Sequence, residues 1–208
     1  MRVVLVDSGG ANIGSVRYAL QRLGVDAQLT GDGDVIRRAD RVILPGVGAA
    51  AAAMRRLREL DLVATLRALD RPLLGICLGM QLLFASSEEG DVECLGLLPG
   101  SVRRMIAAPG IRIPHMGWNR LRRQAASPLL DGIADGAQAY FVHGYAVEVG
   151  ETTVASCEHG GRFSAVVTCG EIAGAQFHPE RSAQVGAHLL RNFLGIAEAA
   201  AARETPCA

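Results

Sequence analysis

Through the first half of the chain, short apolar runs alternate with segments in which apolar residues recur every third or fourth position. This is the pattern of a parallel sheet covered by helices. Residues 2–7 read as a strand. After the turn Ser8-Gly9-Gly10-Ala11, apolar Ile13, Val16, Leu20 and Leu23 recur at helical spacing, and Gly24 stands where a helix C-terminus is expected. Residues 26–29 and 41–44 are the next predicted strands, and 49 to about 69 reads as one helix rich in alanine, a strong helix former. Residues 72–76 form a fourth strand leading into a helix over 78–84.

From about Leu95 the pattern changes to short β-like runs separated by Gly and Pro, at 101–105, 117–122, 138–149, 152–157, 164–168 and 172–177. A closing helix follows over 182–193, with Val185, Leu189, Leu190 and Phe193 on its apolar side, and residues 198–208 read as a frayed C-terminal tail. The expected fold is α/β: a single domain over residues 1–197, with a mixed, largely parallel sheet flanked by helices. The β-rich second half is expected to extend that sheet.

Composition narrows the functions this fold can carry. The 208 residues balance 21 basic against 21 acidic side chains, which gives no electrostatic reason to expect a nucleic-acid partner. A chain of this length buries roughly 70% of its unfolded surface and needs no metal or disulfide staple. The longest uncharged apolar stretch, 42–54, contains Pro45, Gly46 and Gly48 and is too short to span a bilayer. The opening apolar run stops at Asp7, short of a signal-peptide core, so a cytoplasmic location and no membrane association are expected. Every basic residue is arginine, so Schiff-base, Walker and general-base lysines are all excluded. Cys77, Cys94, Cys157, Cys169 and Cys207 show neither CxxC nor Cys/His ligand spacing, so reduced thiols are expected, with no metal site.

Gly75-Ile76-Cys77-Leu78-Gly79 lies between a predicted strand and a predicted helix and has the pattern of a nucleophile elbow with cysteine as nucleophile. The sharp turn needs flanking residues that let backbone approach closely, and it sets Cys77 at a helix N-terminus, which favours thiolate. The amide of Leu78 is then an oxyanion donor. Taken alone, a buried cysteine between two packing glycines would show the same letters. A thiolate needs a proton shuttle, and His178-Pro179-Glu180 supplies one: in extended chain residues i and i+2 point to one side, so Glu180 can orient and charge-stabilise the imidazole. His143 is the rival base, but its i+2 neighbour is Tyr145, while His159 and His188 read as bystanders. Pro45-Gly46-Val47-Gly48 closes the third strand, where the Val47 amide is a candidate second oxyanion donor; an ordinary Gly/Pro turn has the same composition.

In order along the chain, Pro45-Gly46-Val47-Gly48, Gly75-Ile76-Cys77-Leu78-Gly79-Met80-Gln81 and Gln176-Phe177-His178-Pro179-Glu180 resemble the class I, triad-type glutamine amidotransferases, over residues 3 to about 195. Within that family, Pro114-His115-Met116-Gly117-Trp118-Asn119 and Tyr140-Phe141-Val142-His143 are similar to the glutaminase subunits that serve imidazole glycerol phosphate synthesis in histidine biosynthesis.

The resemblance implies a Cys77, His178, Glu180 triad that hydrolyses glutamine through a thioester, with the backbone amides of Val47 and Leu78 as oxyanion hole. It implies glutamine binding by Gly48, Gln81, Glu89 and the backbone of His143, Gly144 and Tyr145, with Glu89 suited to the substrate ammonium. It further implies no cofactor, and delivery of ammonia to a separate (β/α)₈ cyclase subunit in a heterodimer. Asn12 and Trp118 are assigned to that interface, with a core position as the alternative for the tryptophan. Ser8, Ala11, Ala50, Gly144 and Arg181 depart from the family pattern, and none belongs to the triad. Three rivals remain: a glutaminase of another pathway, a catalytically dead regulatory module, and a stand-alone cysteine hydrolase of γ-glutamyl compounds. The segment 114–119 speaks against the first and the intact cysteine and histidine against the second.

Overall fold

The structure is a computed structural model that describes residues 1–9 and 13–195. Ala11, Asn12, Cys207 and the expected tail at 198–208 lie outside the described residues. The first half runs β1 (Val3–Val6), α1 (Ile13–Arg22), β2 (Ala27–Thr30), α2 (Gly33–Arg37), β3 (Arg41–Leu44), α3 (Ala50–Glu59), α4 (Leu62–Arg67), β4 (Leu73–Ile76) and α5 (Leu78–Gln81). The second half comprises β5 (Ser86–Ser87), β6 (Val92–Glu93), β7 (Ser101–Arg104), β8 (His115–Arg120), β9 (Arg122–Arg123), β10 (Gln138–His143), β11 (Tyr145–Ala146), β12 (Thr153–Glu158), β13 (Arg162–Cys169), β14 (Ile172–Ala175) and α6 (Ala183–Leu194).

An eight-stranded sheet in the order β2-β1-β3-β4-β14-β13-β12-β9 organises the molecule. The pairs from β2 to β14 are parallel and those from β14 to β9 antiparallel. All four residues of β1 are buried, as expected for a strand covered on both faces. Val3 and Leu5 pack with Val16 and Leu20 of α1 and with Leu189 and Leu190 of α6. Val4 and Val6 face the other way, toward Ile36 of α2, Met54 and Leu57 of α3 and Leu62 and Leu66 of α4. The period of two along the strand thus divides one apolar run between two helical layers.

Some elements differ from the sequence reading. The helix expected over 49–69 is two helices, because Asp61 takes a left-handed conformation (φ 53°) between α3 and α4. The helix expected over 78–84 is regular only to Gln81, and the strand expected over 138–149 breaks at Gly144. The second half extends the main sheet only through β14, β13, β12 and β9. Strands β8 and β10 form a separate antiparallel pair, and β11-β7-β5-β6 a third sheet. Helix α2 was unforeseen, although its signal is present: Asp32 caps it, accepting from the amides of Asp34 and Val35.

Candidate active site

The central strands β3, β4 and β14 are adjacent and parallel, so their carboxyl ends open on one edge, where α/β sheets form their crevices. β3 leads into Pro45-Gly46-Val47-Gly48, β4 into Cys77, and β14 into Gln176-Phe177-His178. Cys77 sits at φ 53°, ψ −111°, at the N-terminus of α5, with its amide donating to the Ala175 carbonyl at 2.7 Å. A side chain rarely adopts that conformation, and it aims the sulfur out of the turn. The glycines around it answer to close approach. A Cβ on Gly75 would meet the Gly79 carbonyl oxygen at 2.6 Å, one on Gly46 the Gly79 nitrogen at 2.7 Å, and one on Gly79 would run into the Leu44 carbonyl oxygen.

A cavity of about 180 Å³ lies over this edge. Cys77 and His178 line it, as do Val47 and Leu78 and the six positions assigned to glutamine, Gly48, Gln81, Glu89, His143, Gly144 and Tyr145. Glu180 stands behind His178, its Oε1 2.8 Å from Nδ1, with side-chain exposures of 1% and 7% for the two residues. The histidine is fixed on its backbone too: its amide donates to the Tyr140 carbonyl at 2.9 Å, and its carbonyl accepts from Ser182 Oγ at 2.7 Å. Burial works against a charge on His178. Hydrogen bonds and charge attraction from Cys77 and Glu180 outweigh it and raise its pKa from 6.5 to about 10. A carboxylate accepts from Nδ1–H, so Nε2 is the nitrogen left to exchange a proton at the sulfur side.

His143, the rival base, is otherwise engaged. Its Nδ1 donates to the Tyr145 carbonyl at 2.8 Å, its Nε2 lies 3.1 Å from His115 Nδ1, and burial pushes its pKa down to about 4. His159 is packed, stacking on His115 with ring centroids 4.1 Å apart. Gln81 uses both amide hydrogens internally, on the Tyr145 carbonyl (2.8 Å) and Gln176 Oε1 (3.0 Å), which leaves its own Oε1 for a ligand. Glu89 Oε2 accepts from the Ala50 amide at 2.9 Å, leaving the other carboxylate oxygen for a cation. Trp118 is 51% exposed on the outer face of β8, edge-on to Tyr140, which disposes of a core position.

Of the departures from the family pattern, Ala11 lies outside the described residues and the other four have definite local surroundings. Ser8 Oγ donates to the Pro45 carbonyl at 2.6 Å and ties the first turn to the Pro45–Gly48 loop. Ala50 is buried where α3 begins, and Arg181 stacks on Tyr140 at 4.4 Å. A Cβ on Gly144 would find only ordinary contacts with Ile113 and Pro114. Gln176 and Ser182 are the site residues to which sequence reasoning gave no role. The available signal was a polar residue within an apolar strand ending at the site, which marks a buried hydrogen bond to be satisfied. The four described cysteines are free, and burial raises the pKa of Cys94 and Cys157 to about 11. Among the described residues no cluster of three or more His, Cys, Asp or Glu could hold a metal ion, and no helix is long and apolar enough to cross a membrane.

The family model of class I glutamine amidotransferases matches residues 4–196. The chain is 66% identical over 192 residues to the imidazole glycerol phosphate synthase subunit HisH of Xanthomonas axonopodis pv. citri (strain 306), covering 92% of this chain and 96% of that protein. It is 62% identical, with the same coverage, to the HisH subunit of Xylella fastidiosa (strain Temecula1 / ATCC 700964). Among solved structures, a glutamine amidotransferase superposes with a TM-score of 0.71 at 21% identity, covering 92% of this chain and 97% of that one. PurLQS from Thermotoga maritima superposes with a TM-score of 0.70 at 22% identity, covering 93% and 97%. At those identities the structural likeness speaks for the fold.

Proposed function

Because the chain belongs to the class I glutamine amidotransferase family, we propose that it is the glutaminase subunit of an imidazole glycerol phosphate synthase, with residues 1–197 as its glutaminase domain. It hydrolyses L-glutamine to glutamate and ammonia and passes the ammonia to a separate (β/α)₈ cyclase subunit. The observation that carries the chemistry is that Cys77 and His178 line one cavity, with the buried Glu180 bonded to the imidazole from behind. The high identity to HisH subunits supports the pathway and the heterodimeric partner.

In this reading the Cys77 thiolate attacks the side-chain amide carbon of glutamine, and the carbonyl π electrons move onto oxygen. The amides of Leu78 and Val47 stabilise that oxyanion; each such donor contributes about 3 kcal/mol in the transition state, roughly a hundredfold in rate. Collapse of the intermediate breaks the C–N bond while the His178 imidazolium protonates the departing nitrogen, giving ammonia and a thioester. Neutral His178 then takes a proton from water as its oxygen attacks the thioester. The second tetrahedral intermediate releases glutamate and regenerates Cys77 beside protonated His178. Glu180 holds the imidazole through Nδ1 in both halves. The free oxygens of Gln81 and Glu89 suit the ammonium of the substrate, and the backbone of His143, Gly144 and Tyr145 forms the opposite wall.

The partner surface is read from the outer face of β8, where Met116 and Trp118 are exposed beside Tyr140. Aromatic anchors of this kind are enriched in interfaces. Asn12, outside the described residues, is assigned to the same interface by resemblance. Free ammonia would be wasted without an acceptor, so the isolated chain is expected to be a poor glutaminase. Steady-state glutamate release is to be measured on the chain alone, with apo cyclase, and with cyclase carrying its nucleotide ligand. The liganded complex should be faster than the chain alone by at least an order of magnitude. Equal, fast turnover in all three would overturn the coupled-subunit reading and favour a stand-alone hydrolase.

A further inference from the structure

Gln176 is wholly buried just past β14, between the nucleophile and the wall formed by Tyr145. The orientation of its amide follows from one atom that can only accept, the Tyr145 carbonyl oxygen. That oxygen takes hydrogen bonds from His143 Nδ1 and from Gln81 Nε2, both at 2.8 Å. The amide of Gln81 is therefore fixed with its nitrogen inward, and its second N–H meets Gln176 Oε1 at 3.0 Å. With Oε1 held there, Nε2 of Gln176 points at Cys77 Sγ, 3.8 Å away. On the other side, a neutral His143 that donates through Nδ1 offers Nε2 as acceptor to His115 Nδ1–H at 3.1 Å. His115 Nε2 in turn accepts from Asn119 Nδ2 at 3.2 Å, and the same nitrogen donates to the Glu158 carbonyl at 2.9 Å. Donor and acceptor are thus assigned along the whole chain from Asn119 on β8 to the sulfur.

We propose that Gln176 is a further catalytic residue, whose Nε2–H donates to the Cys77 sulfur and favours the thiolate over the thiol. Gln81, His143, His115 and Asn119 are positioning residues that hold its amide in the donating sense. The proposal rests on the glutaminase reading for the role of Cys77 as nucleophile. A second contact on the sulfur acts in the opposite sense: the Val142 carbonyl oxygen, 3.7 Å from Sγ, accepts from a thiol and repels a thiolate. A fixed amide donor therefore counters a fixed acceptor, and its dipole is oriented before substrate arrives. The titratable groups sharing the cavity with Cys77 are His178, His143, Tyr145 and Glu89. Burial keeps His143 and His115 neutral, with pKa values near 4 and 3, so the chain transmits orientation without adding charge beside the sulfur.

The test is the pH profile of Cys77 alkylation by iodoacetamide, followed by mass spectrometry of the Cys77 peptide in the full chain. Gln176→Met removes the donor at nearly constant volume, and Gln176→Leu does so with a different shape; thermal melts show which variants are folded. At neutral pH alkylation should slow about tenfold and recover as the pH is raised, the sign of a thiol that ionises later. Glutamine turnover in the cyclase complex should fall in kcat with little change in KM. An alkylation profile like that of the parent chain in either folded variant overturns the proposal, and so does slowing by the same factor at every pH, which marks an access effect. A parent chain whose Cys77 alkylates normally but which hydrolyses no glutamine, alone or with cyclase, would instead overturn the glutaminase reading. The alkylation comparison stands in either case.

Discussion

Replacing Glu180 by Gln separates the orienting role proposed for the carboxylate from the proton transfer proposed for His178. The substitution keeps the volume of a side chain that is almost wholly buried and keeps an oxygen able to accept from Nδ1–H at the 2.8 Å contact. What it removes is the charge. A hydrogen bond to a charged group contributes about 1.5–3 kcal/mol and a neutral one about 0.5–1.5, so the midpoints differ by about 1.25 kcal/mol, about eightfold in rate. Because solvent does not screen this pair, the full difference should appear. His178→Ala removes the proton carrier itself and should cost about a thousandfold, within the range of general acid–base catalysis. The assay is glutamate release by each variant in complex with liganded cyclase.

Thermal melts give an independent check. The His178 pKa is raised in the folded state, so its protonation stabilises the fold fully below its ordinary value of 6.5, and that contribution is lost as the pH rises through about 10. The melting difference between the parent chain and Glu180→Gln should therefore be largest at mildly acidic pH and narrow toward pH 10. Equal losses of activity in folded Glu180→Gln and His178→Ala would refute the division of roles, and a melting difference that grows with pH would refute the charge argument.

Cys77→Ala should abolish synthesis from glutamine in the reconstituted synthase and leave synthesis from ammonium salts intact; equal loss with both donors would point to damaged folding or docking. Gly79→Ala drives a methyl group into the Leu44 carbonyl, a backbone atom that cannot move aside, and should cost about 3 kcal/mol in urea unfolding. Gly14→Ala, where a Cβ meets nothing within 4 Å inside α1, should gain about 0.5–1 kcal/mol by the same measurement. Trp118→Ala should weaken cyclase binding about tenfold or more by calorimetry, since exposed aromatic anchors carry much of an interface's energy; unchanged affinity would move the interface elsewhere.

The candidate site was legible in its letters because the geometry of each proposed catalytic group depends on its immediate neighbours. Cys77 needs glycines at 75 and 79 for the backbone to pass, and Glu180 reaches His178 across a single proline. Apolar periodicity likewise announced the central strands and most of the helical segments, though not α2, since a strand buried on both faces has no room for polar residues. Tertiary structure decided what depends on residues far apart in sequence. The separation of the β8–β10 pair from the main sheet and the exposure of Trp118 follow from packing between distant segments, which no local pattern encodes. The same holds for His143. By spacing it was only a weaker base; the fold shows it pinned between the Tyr145 carbonyl and His115, 28 residues away. Gln176 shows the limit most clearly: its letter belonged to a recognised motif, but the direction of its amide is set by a carbonyl on another strand, reached through Gln81, 95 residues distant. Hydrogen-bond polarity propagates through space, so only the assembled molecule could assign it.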